Sequence, residues 1–172
     1  MAVLEIKKYP EKVLKQKASQ VENIDGKIQR LIDDMIETMY AAPGIGLAAP
    51  QVGVSKSLIV IDVSHREEEG DEKTPLVVLI NPVLKAAEGE MESEEGCLSL
   101  PGYTTAVCRA ERVLVHGLDR EGKPVQIESE GLLCRALQHE IDHLNGTLLI
   151  DRISSIKREF FKKRFQKALS KV

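Results

Sequence analysis

Residues 27–42 place Ile28, Leu31, Ile32, Met35, Ile36 and Met39 among polar neighbours at intervals of three and four, which predicts one amphipathic helix. Ile24-Asp25-Gly26 leads into it and Pro43-Gly44 ends it. The methionines are read as packing residues, since Met at helical spacing fills cores. The period then changes. Residues 57–63 and 76–81 are runs rich in Val, Ile and Leu bounded by turn residues, and 113–118 and 125–128 flank Asp119-Arg120-Glu121-Gly122-Lys123. These predict strands, the last two joined as a hairpin. Val107-Cys108 reads as part of another strand, and the polar segment 66–73 as a solvated loop between strands. Helical spacing returns after Glu130-Gly131, with Leu133, Leu137, Ile141 and Leu144 on one stripe and Gly146 placed to cap the end. A last helix is predicted over 154–170. Strands in a run, with helices at both ends and one late in the chain, predict an α+β fold. Mixed or antiparallel strands would pack around a central helix, with an N-terminal and a C-terminal helix outside.

The late helix carries the chemistry. Gln138-His139-Glu140-Ile141-Asp142-His143 sets two imidazoles four residues apart, so both rings lie on one stripe and aim at one point. Glu140 stands at the edge of that stripe, where a carboxylate can take a proton from a water. Two ligands and a base are the minimum of a catalytic metal site, which needs a third protein ligand and an open position. Cys97 is the strongest candidate. In Glu95-Gly96-Cys97-Leu98-Ser99-Leu100-Pro101-Gly102 the flanking Gly and Pro-Gly break the chain and hold the thiol at the end of a short extended stretch. Cys108 and Cys134 lie in apolar surroundings and read as small core residues. Cys134 is five residues before His139, a poor spacing for two ligands of one ion.

Gly44-Ile45-Gly46-Leu47-Ala48-Ala49-Pro50-Gln51, Glu95-Gly96-Cys97-Leu98-Ser99 and Gln138-His139-Glu140-Ile141-Asp142-His143 together resemble the three signature motifs of bacterial peptide deformylases, in the same order and at similar separations. The resemblance spans nearly the whole chain. It implies an enzyme that removes the N-formyl group from the terminal methionine of nascent polypeptides and releases formate. The implied metal ligands are Cys97, His139 and His143. Glu140 is the implied proton carrier, with the Gln51 amide and the Leu98 backbone N–H donating to the developing oxyanion. The implied metal is Fe²⁺, one per chain, with Zn²⁺, Ni²⁺ or Co²⁺ able to take its place. Ile45, Gly46, Gly96 and Leu132 are the candidate substrate contacts. Glycines flanking Ile45 would let an extended peptide pair with the backbone as an added strand, and Leu132 would help wall the methionine pocket. Glu95 and Asp142 are candidates to hold the outer nitrogens of the histidines. After Pro101-Gly102 the chain departs from some deformylases, with Tyr103-Thr104-Thr105 where those place a basic residue.

Composition narrows the setting. A chain of 172 residues is expected to form one domain, residues 1–172, with monomer as the default state. No apolar run approaches membrane-spanning length, and the first residues lack the apolar stretch of a secretory signal, so the expected location is the bacterial cytoplasm. Three cysteines, an odd number, agree with a reducing compartment. A net charge of −3 gives no reason to expect DNA or general nucleic-acid binding. The last helix is locally different. Lys157, Arg158, Lys162, Lys163, Arg164, Lys167 and Lys171 oppose Glu159, while Ile156, Phe160, Phe161, Phe165 and Leu169 supply an apolar side. By the resemblance, that basic face is a candidate contact with the ribosome exit region.

Two other readings use the same histidines. A zinc peptidase would draw its third ligand from downstream, where only Asp151 and Glu159 are available and Cys97 goes unused. A closed structural metal site would leave Glu140 unexplained.

Overall fold

The computed structural model describes residues 2–66 and 74–170. Asp25 starts α1 (Gly26–Ala41), its carboxylate accepting the Ile28 N–H at 3.0 Å. The strands follow as β1 (Gly46–Ala48), β2 (Leu58–Ile61), β3 (Val77–Glu88), β4 (Met91–Cys97), β5 (Leu100–Arg109), β6 (Arg112–Leu118) and β7 (Pro124–Glu130). The histidine helix is α2 (Gly131–Leu144), and α3 (Ser155–Ser170) closes the described chain. Five strands form one sheet in the order β1-β2-β3-β6-β7, and β4 and β5 form a separate hairpin. Every strand pair is antiparallel. The expected α+β architecture is the observed one.

Both faces of the central strands are covered, which explains their unbroken apolar runs. On β2, Leu58 and Val60 join Ile32, Met35 and Met39 of α1, while Ile59 and Ile61 join Leu137 and Ile141 of α2. The sheet is thus a middle layer with one helix cluster on each face. Each fully buried Leu or Ile contributes about 1.5–3 kcal/mol relative to exposure, and this packing holds α2 at a fixed height over the sheet. At its end Gly146 adopts φ +72°, and a Cβ there would sit 2.5 Å from the Lys15 carbonyl oxygen. Only glycine fits both the left-handed turn and the close approach. A third cluster gathers Leu14, Leu100, Val107, Leu149 and Phe161 under the hairpin.

Three expectations need correction. The segment around Glu92, where no strand was predicted, is a strand, β4, and β3 continues past 81 to Glu88. Its inward positions are Ser93, Glu95 and Cys97, so its alternation is polar and invisible to a search for apolar period two. Cys108 is exposed, not a core residue, because strand alternation turns Val107 and Arg109 inward and Cys108 outward. Cys134 is buried as expected. On α3, Phe161 is buried and Phe165 packs edge-on against Tyr9, but Ile156 and Phe160 are 69% and 63% exposed. The apolar residues of α3 therefore fall on two faces, only one of them docked. The loop expected at 66–73 lies, beyond Arg66, outside the described residues.

Candidate metal centre and substrate cleft

Cys97 ends β4, and His139 and His143 stand one turn apart on α2. Their ligand atoms all lie within 4.8 Å of one another. The Cys97 Sγ is 3.4 Å from His143 Nε2, and that nitrogen is 3.3 Å from His139 Nε2. Nitrogen and sulfur ligands about 2.05 and 2.3 Å from a tetrahedral centre would be separated by roughly 3.3–3.6 Å. The three atoms therefore fit a shared metal ion, and a thiolate with two imidazoles suits iron, zinc, nickel or cobalt.

Glu140 is 4% exposed, and its Oε1 has no hydrogen-bond partner among the described residues. A Cβ on Gly46 would lie 2.5 Å from its Oε2, so the glycine of β1 makes room for the carboxylate. Burial pushes the Glu140 carboxyl up to about 7, against the nearby positive charge of His139 and Arg109. That is the range for a group that takes and returns a proton near neutral pH. Burial acts to lower His139, but Glu140, Cys97 and Glu95 outweigh it and raise that imidazole to about 10. His143 is driven well below its ordinary value, first by burial and then by His139. The pocket thus gathers the acidic groups Glu140, Cys97 and Glu95 around one imidazole.

Behind the ligands is a buried ionic network. Glu95 Oε1 lies 3.1 Å from His139 Nδ1, and the same carboxylate accepts from Arg109 Nε at 2.7 Å and Arg135 Nη2 at 2.7 Å. Burial would raise Glu95, yet His139 and Arg109 hold it down to about 2. Asp142 does not reach an imidazole. It accepts from Arg109 Nη1 at 2.8 Å and from Arg152 at 2.6 Å, so it acts on His139 only through Arg109 and Glu95. His143 Nδ1 has no partner among the described residues. Arg109, Arg135 and Arg152 were not picked out by sequence. Arg135 is one turn before His139 on the same helix stripe, and Arg109 shares the inward face of β5 with Val107; those spacings were the available signals.

Gln51 is buried in a short turn, Ala49–Val52, just after β1. Its Oε1 accepts the Ala48 N–H at 3.0 Å, which turns Nε2 toward Ser99 Oγ at 3.2 Å and Cys97 Sγ at 3.8 Å. The N-terminal segment straps both partners: Lys7 N–H donates to the Gln51 carbonyl and Tyr9 N–H to the Ser99 carbonyl. Ser99, also unassigned by sequence, donates its N–H toward Cys97 Sγ at 3.4 Å. Leu98 lies in the turn between β4 and β5 with its side chain against Gly44.

One cleft of about 630 Å³ contains every substrate candidate, Ile45, Gly46, Gly96 and Leu132, together with Gln51, Cys97, Leu98, His139 and Glu140. Strand β1 is the sheet edge beside it. The Asp62 N–H donates to the Ile45 carbonyl at 2.8 Å, and in an antiparallel ladder the next residue directs its backbone groups to the other side. Gly46 therefore offers its N–H and C=O away from β2. Asp151, one of the peptidase reading's two candidates, is committed to Lys15 and the Leu148 N–H.

A Cys-His-His triad able to hold a metal, with a buried carboxylate beside it and an open strand edge along the cleft, is the site of a metal-dependent hydrolase. The polypeptide deformylase profile matches residues 3–159, and the chain belongs to that family. It is 64% identical over 166 residues to the peptide deformylase of Thermodesulfovibrio yellowstonii, covering 96% of this chain and 98% of that protein. Among solved structures it is similar to a peptide deformylase from Legionella pneumophila, with TM-score 0.87, 45% identity and 99% of each chain covered. It is likewise similar to the Ehrlichia chaffeensis enzyme in complex with actinonin, with TM-score 0.90, 41% identity and 98% of each chain covered. The chain is an enzyme that removes the formyl group from the N-terminal methionine of nascent polypeptides.

Proposed function

We propose that Cys97, His139 and His143 hold one Fe²⁺ per chain, with Zn²⁺, Ni²⁺ or Co²⁺ able to replace it, and that Glu140 carries the proton. The observation that supports this best is the convergence of the three ligand atoms beside a buried carboxylate whose Oε1 has no hydrogen-bond partner among the described residues. A metal in that position supplies Lewis acidity, lowering the pKa of a water and polarising the formyl carbonyl. Glu140 takes the proton as the water attacks the formyl carbon, then delivers it to the methionine nitrogen as the C–N bond breaks. Formate and a free amine leave. The Gln51 Nε2 and the Leu98 N–H donate to the carbonyl oxygen as it gains charge, each donor being worth on the order of 3 kcal/mol in the transition state.

Gly46 pairs with the peptide backbone as an added strand, with Ile45, Gly96 and Leu132 shaping the space for methionine. The whole chain, 1–172, serves this site as one domain and acts in the bacterial cytoplasm, in keeping with three free thiols. No helix among the described residues is long and apolar enough to cross a membrane. The undocked face of α3, with Ile156 and Phe160 exposed among lysines, supports contact with the ribosome exit region. Pelleting with ribosomes, with and without residues 154–172, tests that contact.

For the reaction, the test is formate release from formyl-Met-Ala-Ser by wild type and Gln51→Ala. Loss of an oxyanion donor predicts a fall in kcat of about 10²-fold. An unchanged kcat would remove Gln51 from the mechanism.

A further inference from the structure

The deformylation chemistry leaves one buried carboxylate unused. Asp62 follows β2 and is 8% exposed. Its Oδ1 accepts from Ser64 N–H at 2.9 Å and Ser64 Oγ at 2.6 Å, and its Oδ2 accepts from the Tyr40 hydroxyl. Its backbone N–H donates to the Ile45 carbonyl. Tyr40 lies in the last turn of α1, and Gly44 N–H returns to the Met39 carbonyl at 2.8 Å. One residue therefore grips both ends of the segment from Tyr40 to Ile45, which forms part of the cleft wall.

We propose that Tyr40 and Asp62 are positioning residues for substrate: their clasp fixes the Ala42–Gly46 wall so that Gly46 presents its backbone groups to the incoming peptide in register. Three observations carry this. The Tyr40 ring is 46% exposed, so its hydroxyl is tied down by Asp62 and not by general burial. The wall has no side-chain bond of its own, being held by backbone groups at Gly44 and Ile45. Burial would push Asp62 up, yet the bonds from Ser64 and Tyr40 hold it below the usual carboxylate range, so it grips as an anion. The clasp touches neither the triad nor Glu140. Its loss acts on substrate pairing and leaves the proton transfer alone.

The inference rests on Gly46 pairing with the peptide, and the test separates the two. Tyr40→Phe keeps the ring and removes the bond; Asp62→Asn keeps an acceptor for Tyr40 and a similar shape. Removing a bond to a charged group is worth roughly tenfold or more in an opening equilibrium. In metal-loaded protein, Tyr40→Phe is expected to raise KM for formyl-Met-Ala-Ser about tenfold with kcat within about twofold. KM for formyl-methionine alone, which has little backbone to pair, is expected to stay within about twofold, and Asp62→Asn, which keeps an acceptor for Tyr40, is expected to raise the tripeptide KM less than Tyr40→Phe does. Amide exchange at Gly44 and Asp62, whose N–H groups are bonded to the Met39 and Ile45 carbonyls, needs no activity and is expected to quicken about tenfold in Tyr40→Phe while the amides of α2 keep their rates. An unchanged KM for the tripeptide, or an equal loss on both substrates, would overturn the proposal. So would unchanged exchange. Faster exchange with an unchanged tripeptide KM would show that the clasp is real and that the peptide pairs elsewhere.

Discussion

Glu95 binds His139 at 3.1 Å through one oxygen while its other oxygen is held by Arg109 and Arg135. The imidazole is thereby fixed in orientation, its Nδ1 against Glu95 and its Nε2 turned toward His143 Nε2. Glu95→Gln is expected to weaken metal retention about 10- to 100-fold, measured by competition with a chelator. Unchanged retention would mean that α2 alone orients the ring. Glu95→Ala is a harsher change, leaving two buried guanidinium groups short of an anion. It is expected to cost about 3–5 kcal/mol in denaturant unfolding.

Gly46→Ala drives a methyl group into the Glu140 carboxylate, where the Cβ would lie 2.5 Å from Oε2. The base must move. A displacement of about 1 Å at a reacting group costs about 10²-fold in kcat, with metal content unchanged because none of the three ligands is touched. Steady-state kinetics with metal analysis checks this; normal kcat would show that Glu140 is mobile or not the base.

The cysteines differ in environment, which makes metal removal visible without any activity assay. Cys108 is exposed, Cys134 is buried, and Cys97 is half-buried within the triad. In metal-loaded protein only Cys108 is expected to react quickly with a thiol reagent. Stripping the metal should add Cys97, and Cys97→Ser should abolish that increment. Reaction of Cys134 in its place would mean that stripping had loosened α2.

Tyr40 gives a pH signature to the clasp. The hydrogen bond to Asp62 raises its hydroxyl to about 12, with burial and the Asp62 charge adding in the same direction. A raised pKa favours the protonated form in the folded state, so the stabilisation is complete below about 10 and is lost as pH rises through 12. The stability gap between wild type and Tyr40→Phe is therefore expected to be constant up to about pH 10 and to close by about pH 12. A gap that persists unchanged above pH 12 would show that it comes from packing and not from the bond.

The candidate metal site was legible because its chemistry is local. His139, Glu140 and His143 lie within two turns of one helix, where spacing alone dictates geometry, and Cys97 was marked by its turn. Of its support only Glu95 was legible, as a candidate partner for an imidazole; Arg109 and Arg135 were not, because they meet Glu95 only when β4, β5 and α2 pack together. The charged strand β4 was missed for the same reason. Its inward face is built from Ser93, Glu95 and Cys97, and only tertiary partners make those positions inward. The apolar runs of β2 and β3 and the stripes of α1 and α2 were plain, since burial on one or both faces leaves a direct mark in sequence. Cys108 and Phe160 mark the converse error, where apolar character was read as burial and the local period decided otherwise.

The central claim is that the triad binds the metal and Glu140 moves the proton, and Glu140→Ala separates the two. Wild type and variant, prepared anaerobically with one equivalent of Fe²⁺ or Ni²⁺, would be compared for bound metal and for formate released from formyl-Met-Ala-Ser, beside the unformylated peptide. Equal metal in both, formate from wild type alone and an intact unformylated peptide are predicted. Formate from Glu140→Ala at the wild-type rate, or none from fully loaded wild type, would contradict the account.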